Sequence, residues 1–312
     1  MYNPTKPYKK QIFKIIQKTW KSPYISIKKG IYPVFERKIK GKEIDHTDGI
    51  GSKGVYHWKM RTFKNAVLDA LAMNLNDLAL MRAIPYKLQN HIIIPKDDHQ
   101  AILEIVSHLS DECRKRKIVI TGGETSIQNN IEGIDISLTI SGFVFENKIN
   151  EIRSNDVLIG FKSNGLHSNG FSKVREIFGH KSRKEFIEPT TIYLDSILAL
   201  NKKFEIHGLM HITGGAFTKL KDIAPKANIL ITNKHKLKPQ KIFYDLYNSN
   251  INEIEMYKTF NCGIGFIISV NSKEAQTIIN LYPGKTDIIG RAEPGTGRVE
   301  IESYFSDRKI RY

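Results

Sequence analysis

Cysteine is scarce in this chain of 312 residues, which carries only Cys113 and Cys262. One lies in a charged helical stretch and the other between Asn261 and Gly263, so neither a disulfide framework nor a zinc-type cysteine cluster is expected, and both thiols read as reduced. No uninterrupted apolar run approaches the ~20 residues that a bilayer span requires. The opening Met1-Tyr2-Asn3-Pro4-Thr5-Lys6 lacks the apolar core of a signal peptide. The expectation is a soluble cytoplasmic protein with no membrane partner. A P-loop, a dinucleotide fingerprint and a serine-nucleophile elbow are also missing. Any phosphate chemistry here must use a site of another type.

Acidic residues are the scarcer charge: 32 Asp and Glu stand against 48 Lys and Arg, giving a net +16 and a pI near 9.6. Such a balance invites a nucleic-acid reading, because clustered cations release counterions from a phosphate backbone. The lysines are nevertheless read as spread along the whole chain, with no aromatic platform interleaved. The charge is therefore taken as surface bias suited to anionic small molecules rather than as nucleic-acid binding. The best place for the contrary reading is the basic N-terminal stretch, Lys9-Lys10 through Lys14, Lys18 and Lys21.

With 40% hydrophobic residues, the length suits two domains with proper cores. Ile12, Phe13, Ile15, Ile16 and Trp20 fall at near-helical spacing and predict an amphipathic helix over 8–20. An α/β alternation follows: strand 42–48, helix 62–82, strand 88–94, helix 97–115, strand 118–121 and an extended run 134–145. It resumes with strand 156–160, helices 171–178 and 191–203, strand 227–232, helix 240–247, strand 263–270, helix 273–281 and two last strands ending near Glu302. This sets out a basic N-terminal helical extension (1–40), an N-terminal α/β domain (41–152) and a C-terminal α/β domain (153–312). Each domain holds a Thr-Gly-Gly element, Thr121-Gly122-Gly123 and Thr213-Gly214-Gly215.

Several short stretches carry phosphate and metal chemistry. In Thr47-Asp48-Gly49-Ile50-Gly51-Ser52-Lys53 the carboxylate of Asp48 sits where a strand ends. Gly49 and Gly51 can take positive φ and admit a phosphate to the main chain, and Lys53 can meet the anion. The helix over 62–82 places Asp69, Asn76 and Asp77 on one face among apolar neighbours, where unpartnered polar groups are costly. Asp69 and Asp77 are about 12 Å apart along the axis, too far to grip one ion together. Asp77, backed by Asn76, is therefore assigned to magnesium and Asp69 to a nucleotide or second ion. Gly122-Gly123-Glu124 is read as a second turn with a carboxylate at a strand end. Ser163-Asn164-Gly165-Leu166-His167-Ser168-Asn169-Gly170 stands between a strand and a helix, where main-chain amides suit an anion and His167 can move a proton. Cys262 reads as a small buried thiol rather than a nucleophile.

Taken in order, these motifs resemble the phosphoribosylformylglycinamidine cyclo-ligase (aminoimidazole ribonucleotide synthetase) family. They are joined by Asp156-Val157-Leu158-Ile159-Gly160, His211-Ile212-Thr213-Gly214-Gly215 and Met256-Tyr257-Lys258-Thr259-Phe260-Asn261-Cys262-Gly263. The resemblance runs from about Ile44 to Arg298. It implies a two-domain α/β fold of the aminoimidazole ribonucleotide synthetase type, whose N-terminal domain pairs into a shared sheet or barrel in a homodimer. It also implies ATP and Mg2+, a small phosphoribosyl substrate, and ATP-driven ring closure in purine biosynthesis. In that frame Asp48, Asp77 and Glu124 hold the metal, and Asp48, Lys53, Glu124 and His167 form the catalytic set. Gly49, Gly51, Asp69, Asn76, Gly122, Gly123, Ser168, Asn169, Thr213, Gly214 and Gly215 contact nucleotide or substrate. Another ATP-dependent kinase or synthetase of the wider superfamily, or a non-catalytic nucleotide-binding paralogue, are the alternatives. The chain departs from the family at Lys29-Gly30-Ile31-Tyr32-Pro33, where a glycine-rich segment is usual, at Arg82, which replaces a glycine, and at Thr218-Lys219, which replaces Glu-Asn.

Overall fold

A computed structural model describes residues 8–30, 33–145 and 148–312, and of Ala216 the backbone alone. The opening Met1–Lys6 and the Ile31-Tyr32 pair of the departing segment lie outside the described residues. The chain divides into two units, Met1–Leu78 with Ala83–Glu146 and Ala79–Arg82 with Asn147–Tyr312.

The first unit begins with helix α1 (Lys9–Gln17) and a two-stranded ribbon of β1 (Ile25–Lys28) and β2 (Val34–Arg37). It continues through β3 (Lys42–Gly49), α2 (Gly54–Met60), α3 (Phe63–Leu80), β4 (Ile84–Ile94), α4 (His99–Lys115), β5 (Val119–Ile127) and β6 (Asp135–Val144). The sheet order is β3-β6-β4-β5, with only β4 and β5 parallel. On β6, Ile136, Leu138 and Ile140 alternate inward and are fully buried, the two-residue period of a half-covered sheet. α3 is apolar nearly all round, with Ala66, Val67, Ala70, Leu71, Leu75 and Leu78 at 0% exposure, so it forms as a core helix rather than a surface one. α4 starts where the Asp98 side chain accepts from the Ala101 amide at 2.9 Å, and it buries Ile102, Ile105, Val106 and Leu109 along one stripe.

The second unit comprises β7 (Val157–Lys162), α5 (Phe171–Phe178), α6 (Leu194–Asn201), β8 (Ile206–His211), β9 (Ala227–Ile231), α7 (Lys241–Tyr247), α8 (Glu253–Thr259), β10 (Ile264–Val270), α9 (Ser272–Leu281), β11 (Thr286–Pro294), β12 (Val299–Glu302) and β13 (Lys309–Arg311). Its sheet order is β13-β12-β9-β11-β7-β10-β8. β10 is buried at every residue, as a central strand covered on both faces must be.

Three sequence expectations change. The strand holding Thr121-Gly122-Gly123-Glu124 does not end there: β5 runs on to Ile127, absorbing an irregularity in register at Leu88/Gln89 and pairing Gly123 with Asn90 and Glu124 with His91. As an edge strand beside β4 it needs only one neighbour, so the glycines do not stop it. The other Thr-Gly-Gly does follow a strand end, beyond β8, and turns at Gly215 with φ 82°, so the repeat is one of sequence rather than of structure. Third, β1, β2, α2, β8, α8 and β13 are not among the expected elements; all are three to seven residues long, and β2 is exposed throughout.

Arg82 occupies a left-handed position (φ 55°), where glycine is free of strain. Its guanidinium donates to Asn201 Oδ1 at 3.1 Å and to the Ile206 carbonyl at 2.9 Å, contacts that offset the backbone cost.

Candidate active site

In the first unit the sequence-predicted residues separate into three groups. Asp48 closes β3, half-buried, and its Oδ1 accepts from the Gly49 amide at 2.7 Å. Beyond it Gly51 takes φ 54°. Gly49 does not need positive φ; it is required because a Cβ there would stand 2.8 Å from Ser137 Oγ and 3.0 Å from the Ile136 carbonyl. His46, two residues earlier on the same strand face, reaches α3. Its Nε2 lies 3.2 Å from Asp77 Oδ2 and its Nδ1 3.1 Å from Asn74 Oδ1. Asn74 in turn donates to the Asp48 carbonyl at 3.0 Å and the Ala70 carbonyl at 2.9 Å. The hydrogen bond with Asp77 raises the His46 pKa against the opposing effect of burial, and the charge of Asp48 adds to it. Asn76 is fully buried beside this group.

Lys53 and Asp69 lie elsewhere. Both are fully buried, with the Lys53 ammonium 2.9 Å from Oδ1 and 2.8 Å from Oδ2 of Asp69. His57 Nε2 sits 2.8 Å from Asp69 Oδ2, and its Nδ1 lies 2.8 Å from Thr62 Oγ1. Burial alone would raise the Asp69 pKa, but Lys53 and His57 reverse it and hold the carboxyl well below the usual carboxylate range. Burial pushes His57 down. A neutral imidazole donating from Nε2 to the carboxylate and accepting at Nδ1 from the threonine hydroxyl satisfies every partner. Lys53 and Asp69, expected to face a nucleotide, are instead turned inward onto each other.

Glu124 is also set apart. The ladders align Asp48 with Leu138, Asn90 and Gly123 across the four strands, so three strand spacings, about 14 Å, separate Asp48 from the Gly-Gly-Glu run. Glu124 shares its register with His91, Ser137 and Gly49 and points to the opposite face. Gly122 and Gly123 lie inside β5, where a Cβ on Gly123 would strike the Asn90 amide at 2.5 Å. One chain therefore joins Asp48 to Asp77 but not to Glu124.

In the second unit the loop after β7 is held to three other segments. Asn169 Oδ1 accepts from the Gly214 amide at 3.0 Å, joining the His-Ser-Asn-Gly and Thr-Gly-Gly stretches, while Asn169 Nδ2 is buried with no hydrogen-bond partner among the described residues. Ser168 Oγ lies 3.1 Å from Thr190 Oγ1. Asn261 donates to the Gly165 carbonyl at 2.8 Å and accepts from Ser163 Oγ at 2.8 Å. Gly170, at φ 73°, opens α5, and a Cβ there would lie 2.2 Å from the Phe260 ring. Thr213 is buried, while Gly214 and Gly215 reach solvent. His167 is 1% exposed, its ring 6.1 Å from that of Tyr193, so it lies beneath the loop rather than on its open side. Cys262 is buried with its pKa raised by desolvation, an inert thiol.

Two stretches of the chain match family models. Residues 40–144 match the family model of the AIR synthase related protein N-terminal domain, and residues 153–302 that of its C-terminal domain. The chain belongs to the AIR synthase related family. Among curated members, phosphoribosylformylglycinamidine cyclo-ligase of Methanococcus vannielii is 32% identical over 286 residues, covering 85% of this chain and 80% of that protein. The Saccharolobus solfataricus cyclo-ligase is 33% identical, covering 84% and 82%. Among solved structures, hydrogenase maturation protein HypE in complex with ATP superposes with a TM-score of 0.71 at 13% identity, over 99% of this chain and 95% of that one. Thiamine-monophosphate kinase from Stenotrophomonas maltophilia gives 0.67 at 15%, over 94% and 96%. At such identities the superpositions establish the mixed α/β fold of this family and no more.

His46 and Asn74 went unassigned in the sequence. Their signal is spacing: His46 precedes Asp48 by two in a strand, and Asn74 precedes Asp77 by three in a helix, so each shares a face with its carboxylate.

Proposed function

We propose that this protein closes the imidazole ring of formylglycinamidine ribonucleotide with ATP, forming aminoimidazole ribonucleotide, ADP and phosphate in cytoplasmic purine biosynthesis. The observation that carries the reading is its identity of 32% across 85% of the chain with a cyclo-ligase, against 13–15% with the HypE and kinase structures. In this reaction the substrate amide oxygen takes the γ-phosphoryl of ATP, and the amidine nitrogen then displaces phosphate as the ring forms. Asp48 and Asp77, two half-buried carboxylates tied through Asn74 and His46, would hold a Mg2+ ion on a bound nucleotide. Among the described residues no set of three or more His, Cys, Asp or Glu forms a metal cage, and Mg2+–nucleotide sites need none. When bound, that ion neutralises charge on the transferred phosphoryl.

The remaining work falls to the chain itself. The amides of the 163–170 loop and the N-terminus of α5 suit the substrate phosphate. Asn169, fixed through Oδ1 to Gly214, keeps Nδ2 as a donor for it. Lys53, paired with Asp69, fixes the turn after Asp48, and His167 supports the loop from beneath. We place Glu124 in the same chemistry through a homodimer, in which a second copy's Glu124 can complete the carboxylate set that one chain separates.

The deciding assay incubates purified protein with formylglycinamidine ribonucleotide, ATP and Mg2+. The expected outcome is phosphate release matched by aminoimidazole ribonucleotide. ATP bound without product sinks the reading. Light scattering during size exclusion tests the pairing, and a monomer under turnover conditions removes Glu124 from the site.

A further inference from the structure

The chain's charge is not evenly spread. Residues 8–42 carry ten lysines and one arginine against a single glutamate, a net +10 of the chain's +16. Nearly all of this segment precedes residue 40, where the family match begins. Its described residues form α1 and the β1–β2 ribbon. α1 and the turn after it are fixed to the unit: Ser110 Oγ donates to the Ile15 carbonyl at 3.0 Å, and Trp20 Nε1 to the Ile120 carbonyl at 3.0 Å. The ribbon is joined to the helix where the Lys29 ammonium stands 5.8 Å from the Phe13 ring.

The outer face of α1 carries Lys10, Lys14 and Lys18, all exposed, in a row rising about 6 Å per step. None of the three is ion-paired among the described residues. Like charges at i, i+4 weaken a helix, and Lys9 and Lys10 stand at the end where the helix dipole disfavours cations. This row therefore works against the stability of its own helix, and an external polyanion relieves that cost.

We infer that α1 and the ribbon form a docking surface for single-stranded nucleic acid. Charge complementarity supplies the affinity. The choice of a single strand comes from Phe35 on β2, which is 38% exposed with the Lys87 ammonium 4.9 Å from its ring, a platform on which an unpaired base can stack. A lipid surface fits less well, since the apolar residues of α1, Ile12, Phe13, Ile15 and Ile16, are half-buried and are not presented for insertion. The inference does not rest on the cyclo-ligase reading.

The test uses the full chain and a fluorescein-labelled 20-nucleotide single-stranded RNA, read by polarisation across a salt series. Wild-type protein is expected to bind with strong salt dependence. The K10E/K14E/K18E variant is expected to bind at least tenfold more weakly, with its log–log salt slope shallower by about 2, with unchanged circular dichroism and a melting temperature no lower than that of wild type. Phe35→Ala is expected to weaken the single strand roughly fivefold or more while leaving a 20-base-pair duplex unaffected. Absence of binding at low salt, equal affinity of the triple variant, or a duplex bound as tightly as the single strand each overturns the inference. So does binding to phosphatidylserine vesicles without binding to the RNA, which assigns the surface to membranes.

Discussion

Asp69 and Asp77 leave α3 about two turns apart and end in opposite surroundings. Asp69 is fully enclosed, gripped through both oxygens by Lys53 and touched by His57. Asp77 keeps 26% of its side chain exposed and lies 3.2 Å from the partly exposed His46. A buried charge must be neutralised where it stands, so Asp69 is committed to holding α3 to α2 and to the turn before it. A rim carboxylate beside another keeps lone pairs that an incoming cation can use. The comparison teaches that helical phase alone does not make a polar residue a ligand; the neighbouring elements decide.

The largest effect that can break this comparison is on stability. Removing one partner of a buried pair leaves the other charge stranded, at a cost of about 3–5 kcal/mol. Asp69→Ala should lower the unfolding free energy of the first unit by that amount in a urea titration, and the Lys53→Met/Asp69→Leu double variant should regain most of it. A loss below about 1 kcal/mol for Asp69→Ala removes the structural role given to the pair.

The next effect is on turnover. Asp77→Asn should leave the urea midpoint within experimental scatter, yet lower kcat/KM roughly 100-fold, about 2.7 kcal/mol of transition-state stabilisation, and move the Mg2+ titration to higher concentration. Near-wild-type turnover would place Asp77 outside the site and leave the two aspartates alike as structural groups.

Much of this contrast was legible before folding, and the illegible part has a physical cause. The strand ending at Asp48, the long α3 and the loop into α5 follow from local patterns, because alternation, apolar spacing and glycine turns act within a few residues. The inward turn of Asp69 did not follow, since it depends on Lys53 arriving from another element sixteen residues earlier. Glu124 was read as closing a strand because Gly-Gly usually marks a turn; whether β5 continues is decided by β4, which offers it backbone partners as far as Ile127. The position of Glu124 relative to Asp48 is then fixed by sheet order, β3-β6-β4-β5, a property of pairing that no short motif contains. The N-terminal charge was legible in principle by counting it segment by segment rather than over the whole chain.

The smallest effect sharpens the comparison through the two histidines, one beside each aspartate. Burial lowers the His57 pKa below its ordinary 6.5, so the unfolded chain binds the proton more readily. The stability linked to His57 is present above about pH 6.5 and is lost as pH falls through its lower folded value. The bond with Asp77 raises His46 above 6.5, so its contribution is present below about pH 6.5 and is lost as pH rises through the raised value. In metal-free protein, His57→Gln should flatten the acid limb of a stability–pH curve and leave the alkaline limb as in wild type. His46→Gln should do the reverse, and more weakly, because its half-exposed pair is screened by solvent. If both variants change the same limb, the two aspartates do not sit in the opposed environments described for them.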